Sequence, residues 1–166
     1  MSERIETTAI RNLIHNEEYC RKVLPFIKEE YFIDRLEKLI FTEIYQFVNK
    51  YNNLPTKESL SIEMNTNKGV SEDEYKKMNE IISSLNPEPI NLDWLVETTE
   101  VWCKDRAIHN AILGGIQILD GKDKDHTPEY LPEMLSEALS VSFDQKVGHD
   151  YLLESKERYD YYNRKE

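Results

Sequence analysis

Apolar residues recur along this chain with the three-to-four-residue spacing of helices, and hardly anywhere with the alternation of strands. Ala9 and Leu13, then Ile10 and Ile14, are four apart, which predicts a helix over residues 5–16. Asn16 is placed to cap a second, short helix whose opening residues Glu17 and Glu18 suit a positive helix end. Pro25 interrupts it. Leu36, Leu39, Ile40, Ile44, Phe47, Val48 and Tyr51 form one stripe, with Asp34 near its start and the turn residues Asn52-Asn53-Leu54-Pro55 at its end. Thr56-Lys57-Glu58-Ser59 opens another short helix. Ser71 followed by Glu74 is a capping-box pattern for a helix carrying Tyr75, Met78, Ile81, Ile82 and Leu85.

Asn86-Pro87-Glu88-Pro89 reads as the main internal boundary, because two prolines bias the chain to extended structure. Asn91 then caps a long helix from Leu92 to about Asp120. Gly121 to Thr127 is polar and turn-like. Pro128 suits the first turn of a returning helix, with Thr127 as its cap. That helix carries Leu131, Leu135, Ala138 and Leu139. A last amphipathic segment, 150–164, follows a loop at Val147-Gly148. The expected fold class is all-α: a small helical globule, a long helical hairpin and a C-terminal linker helix. The expected divisions are 1–88, 89–146 and 147–166.

The long helix has two apolar seams. Leu92, Leu95, Val96, Trp102 and Cys103 share one face. Trp94, Val101, Ile108, Ile112 and Leu119 lie on nearly the opposite face, the first three spaced by seven. A helix with two seams must bury both, since each large side chain covered contributes about 1.5–3 kcal/mol. One can meet the returning helix through Leu131, Leu135 and Leu139. The other is covered either by residues 1–88 within one molecule or by a second copy, and the pattern leaves both open. Gly114-Gly115 permits close helix approach or marks a kink.

Composition narrows the function classes. The chain has 166 residues, with 21 Lys and Arg against 32 Asp and Glu, a net charge of −11. That balance opposes a tight, sequence-independent grip on a phosphate backbone. No apolar run approaches the ~18 residues of a membrane span. The opening residues Met1 to Glu6 have no apolar signal-peptide core. Two cysteines, Cys20 and Cys103, are too few for a disulfide scaffold and point to a reducing compartment.

Candidate chemistry is sparse. None of the five glycines opens a phosphate-binding loop, because Gly121-Lys122 continues into Asp123. The four histidines show no H-E-x-x-H spacing. His149-Asp150 matches the metal-binding dipeptide of HD-type phosphohydrolases, a two-residue match better explained as a helix entry. Asp123, Asp125, His126 and Glu129 cluster in a polar loop but lack the glycine and terminal glutamate of a calcium loop. Cys20 and Cys103 fall on apolar stripes and read as core thiols. Tyr159, Tyr161 and Tyr162 crowd the end like an interface rather than a catalytic centre.

Several of these segments resemble one family in order and spacing. Glu30-Tyr31-Phe32, then Leu39-Ile40-Phe41-x-x-Ile44, then Leu54-Pro55, are similar to the N-terminal domain of DnaB-type replicative helicases. Closer likeness to the T-even phage branch comes from Tyr19, Lys22-Val23 and Pro25, from Trp94-Leu95-Val96 with Thr99-Glu100, and from Arg106-Ala107-x-x-Asn110-Ala111. The stretch Ala138 to Asp144, followed by Val147-Gly148-His149-Asp150, adds to it.

The resemblance implies a collar: an oligomerisation and partner-docking region of a hexameric ring, in which hairpins pair between subunits. It implies Trp94, Val101, Ile108, Ile112, Leu131, Leu135 and Leu139 at subunit contacts, and Leu152, Tyr159 and Tyr162 docking a linker helix on a neighbouring motor. No catalytic, cofactor-binding or metal residue is expected in this chain. ATP and magnesium belong to the RecA-like motor, as does most contact with single-stranded DNA. The implied partners are copies of itself, primase and a helicase loader, with no membrane, in the cytoplasm of an infected bacterium. Two other readings fit the residues: a stand-alone helical adaptor or loader, and a metal-dependent phosphohydrolase around His149-Asp150.

Overall fold

Why each helix begins where it does is visible in its first turn. In the computed structural model, which describes residues 4–67 and 69–143, the side chain of Asn16 accepts the backbone N–H of Tyr19 at 3.0 Å and so starts α2 (Glu17–Val23) directly after α1 (Ile5–His15). Asp34 accepts from Glu37 N–H at 3.0 Å and opens α3 (Arg35–Tyr51). Thr56 with Ser59 and Ser71 with Glu74 each close both halves of a capping box, for α4 (Lys57–Asn65) and α5 (Glu72–Ser84). These side chains occupy amide hydrogens that a helix start leaves unpaired. Short 3-10 turns lie at Leu24–Phe26 and Glu29–Tyr31. Asn52 ends α3 in the left-handed region, at φ 54°.

Then comes α6 (Leu92–Leu119), 28 residues in one run, opened by Asn91 accepting Trp94 N–H at 2.8 Å. At 1.5 Å per residue it is roughly 42 Å long. A 3-10 turn, Pro128–Tyr130, leads into α7 (Leu131–Leu139). Thr127 stands at the head of that turn, but its side chain accepts no capping hydrogen bond. No strand occurs among the described residues, so the fold is all-α as expected.

The chain divides into two compact units, and the division falls inside α6, between Arg106 and Ala107. The reason lies in what the first half of α6 carries. Leu95, Thr99 and Cys103 are fully buried and Trp102 nearly so. Trp102 meets Phe32 edge-on at 5.0 Å and Tyr31 at 6.2 Å. Arg106 donates from Nε to the Tyr31 carbonyl at 2.9 Å, and the Tyr19 hydroxyl lies 2.7 Å from Thr99 Oγ1. The first unit therefore includes these turns. Its core is built from Leu13, Val23, Ile40, Ile44, Leu60, Met78 and Leu85, where α1 packs on α2 and α3, and α3 packs on α4 and α5.

In the second unit, α7 runs back along α6. A β-carbon added at Gly114 would meet Met134 Cε at 3.4 Å, and one at Gly115 would meet Leu131 Cδ2 at 3.0 Å. The glycine pair is thus a point of close approach within an unbroken helix. Ala111 and Ile118 are buried on the same face of α6, and Ala138 is buried on α7. The face of α6 that receives α7 is neither of the two seams read from the sequence. Leu135 and Leu139, expected to fill the hairpin, are exposed. Leu131, Met134 and Ala138, at positions i, i+3 and i+7, turn inward instead.

Candidate interaction surface

The seam Trp94, Val101, Ile108, Ile112 and Leu119 lies on one face of α6, as its spacing requires. Trp94 is 53% exposed, Val101 60%, Ile112 51% and Leu119 66%, and Ile108 is half-buried. Trp94 and Val101 are thus exposed although they share a unit with residues 1–88. The other seam is covered: Leu95, Trp102 and Cys103 belong to the core of the first unit. Sequence reasoning missed two exposed residues beside the seam, Leu113 and Ile116. Ile116 falls four residues after Ile112, about 40° round the helix from it, and Leu113 about 100° round, in line with Leu95 and Trp102. Leu152, Tyr159 and Tyr162, with the linker helix and His149-Asp150, lie outside the described residues.

Groups able to do covalent or acid–base chemistry are turned to structural use. Burial pushes the Cys20 thiol up to about 11, and raises that of Cys103 further, so neither is a thiolate at neutral pH. Burial likewise lifts the Tyr31 phenol to about 12. His15 bonds through Nε2 to the Leu85 carbonyl at 2.6 Å, tying α1 to the end of α5. In the polar loop, the Asp123 carboxylate accepts from Asp125 N–H at 2.9 Å and His126 N–H at 3.2 Å, and lies 2.9 Å from His126 Nδ1. His126 stacks on Tyr130 at 4.5 Å. The loop cluster shapes a turn. Among the described residues, no three His, Cys, Asp or Glu side chains are grouped to hold a metal ion.

Two clefts flank Pro25 in the first unit. One, of about 220 Å³, is lined by Cys20, Leu24, Val48 and Asn49; the other, of about 310 Å³, by Ile27, Phe41, Thr42 and Tyr45. The α3 residues among these fall on one helical face. The Cys20 thiol, which burial keeps protonated, offers the first cleft no nucleophile.

What these residues define is an all-helical domain whose long helix leaves an apolar face open. No described helix is long and apolar enough to cross a membrane. Over 151 residues, 86% of the chain, the sequence is 32% identical to the DnaB-like replicative helicase of Enterobacteria phage T4. The chain is thus related to the DnaB-like phage replicative helicases, and it is the N-terminal domain of that family that its motifs resemble. It spans about a third, 32%, of the length of that relative. No family model matches it.

Proposed function

We propose that this chain is the collar of a hexameric replicative DNA helicase: a non-catalytic region that associates with copies of itself and docks partners, while a motor elsewhere in the parent protein binds ATP and magnesium and unwinds DNA at the fork. The observation that carries the reading is the open seam on α6. Leaving Val101, Ile112 and Leu119 in water forfeits about 1.5–3 kcal/mol for each side chain that a partner would cover, and apolar faces of this kind mark association surfaces. Similarity to a DnaB-like replicative helicase makes a second copy the natural partner.

The mechanism is physical rather than chemical. Pairing of collars holds attached motors at high effective concentration and fixes their order around single-stranded DNA. Leu135 and Leu139, exposed on α7, offer further apolar surface for association. Primase and a helicase loader are the further partners this reading names, in the cytoplasm of an infected bacterium.

Sedimentation of the purified chain over a wide concentration range tests it. A reversible dimer or larger assembly is expected. Ile112→Asp should weaken that assembly at least tenfold, about 1.4 kcal/mol, with the helical circular dichroism unchanged. A chain that stays monomeric at the highest concentrations overturns the proposal.

A further inference from the structure

Within the second unit, the exposed apolar side chains of both helices gather on one side of the hairpin. At 100° per residue, Ile112, Ile116 and Leu119 lie roughly 120° round α6 from the line of Ala111, Gly114, Gly115 and Ile118, the line that receives α7. Leu135 and Leu139 lie roughly 90° round α7 from Leu131, Met134 and Ala138, which face α6. Each rotation has the same sense when viewed along its own helix. The two helices run antiparallel, so both sets come out on the same side and line one apolar valley. Leu113 is exposed on the other side.

The sequence itself supplies a segment of the right start, direction and spacing for that valley. Phe143, four residues past the end of α7, is buried, so the chain leaves the helix without leaving the protein. A further 23 residues follow it. Met134 lies opposite Gly114 and Leu131 opposite Gly115, which sets the end of α7 level with about residues 107–109 of α6. A segment that turns back there runs parallel to α6, up the valley. In it Leu152 and Tyr159 are seven apart and nearly in line, with the small Ser155 between them and Tyr162 alongside. Ile112 and Leu119 have the same interval, and Ile116 falls between them. As a helix, residues 150–164 measure roughly 22 Å, against roughly 19 Å from Ala107 to Leu119.

Resting on the self-association proposed above, we infer that residues 150–164 dock as a third helix in this valley, Leu152 against Ile112 and Tyr159 against Leu119, and compete there with the second copy of the chain. A short connection to α7 holds the segment at an effective concentration of about a millimolar, above that of any separate chain in dilute solution. The segment is then an internal regulator of assembly. While docked it covers Ile112, Ile116 and Leu119, and whatever engages it elsewhere releases them. Docked and released forms interconvert, so association is weakened by the fraction of chains whose face is open and is not abolished.

Two measurements on the full chain test this. Replacing Leu152→Asp and Tyr159→Asp together should tighten self-association at least tenfold in sedimentation, which corresponds to docking in about nine parent chains of ten. Unchanged affinity overturns the competition. Weaker affinity overturns it too, because the segment would then belong to the contact between copies. For the second measurement, Ile116→Cys and Ser155→Cys are combined in one chain and treated with a thiol crosslinker of about one helical turn, roughly 5 Å, at a concentration below association. Cys20 and Cys103 are buried and stay silent. A crosslink within one chain is expected. A product of twice the mass, or none, overturns the docking while leaving self-association to its own test. If the internal crosslink forms but parent and double-aspartate variant both stay monomeric, self-association and the competition fall together, and the docked segment stands.

Discussion

Trp94 and Trp102 sit eight residues apart on one helix and offer an internal comparison. Trp102 is 7% exposed and packs edge-on against Phe32, its ring planes at 67°, with Tyr31 beside it at 82°. Its indole nitrogen is buried with no hydrogen-bond partner among the described residues, so truncation forfeits packing and no polar pairing. Trp102→Ala should therefore cost about 3–5 kcal/mol, the range for large aromatic deletions in cores. Against a total stability of about 5–15 kcal/mol, that is a large part of what holds a domain folded. Trp94→Ala removes a side chain that is more than half exposed, and its backbone bond to Asn91 survives. Its cost should stay within about 0.5 kcal/mol. Urea unfolding followed by circular dichroism reads both, at concentrations low enough that association adds nothing to stability. The midpoint should fall sharply for the Trp102 variant and hardly move for the other. Equal losses, or the larger loss at Trp94, would refute the assignment of faces on α6.

Two further tests concern polar groups. Thr99 donates its one hydroxyl hydrogen to the Leu95 carbonyl at 2.7 Å, which makes the buried Tyr19 hydroxyl the donor to Thr99. Thr99→Val strands that donor and should cost about 1–3 kcal/mol, and adding Tyr19→Phe should recover part of it; losses that merely add in a double-mutant cycle would discount the bond. At Asp123, the His126 ring first, then the N–H groups of Asp125 and His126, hold the carboxyl below its usual range. Because the folded value is depressed, the turn's contribution is present above the unfolded value of about 3.9 and is lost as pH falls through the folded one. NMR titration should show the Asp123 side-chain carboxyl carbon titrating with a midpoint below about pH 4; a midpoint above that range would refute the account.

Helix existence was legible because each start carries its own local chemistry. Asn16, Asp34, Thr56 and Ser71 cap as their positions suggest, and those bonds span only three residues. The open seam was legible for the same reason: spacing on one helix sets which residues share a face. What local pattern could not supply was which body covers which face. Beyond the prolines at 87 and 89, Thr99 reaches back to Tyr19 and Trp102 to Phe32, contacts some seventy to eighty residues away in sequence. On α7 the larger leucines 135 and 139 drew the eye, while the smaller Ala138 and the flexible Met134 turned inward, because two glycines opposite leave a shallow, close surface rather than a deep one.

That glycine pair ties two distant positions into one unit of change. At Gly114 the neighbour is the mobile end of a methionine and has room to yield, but at Gly115 any added carbon presses on a branched leucine tip at 3.0 Å. Bulk added at position 115 must be met by a shift of the Leu131 side chain or by a smaller residue there, so these two positions constrain one another more tightly than 114 and 134 do.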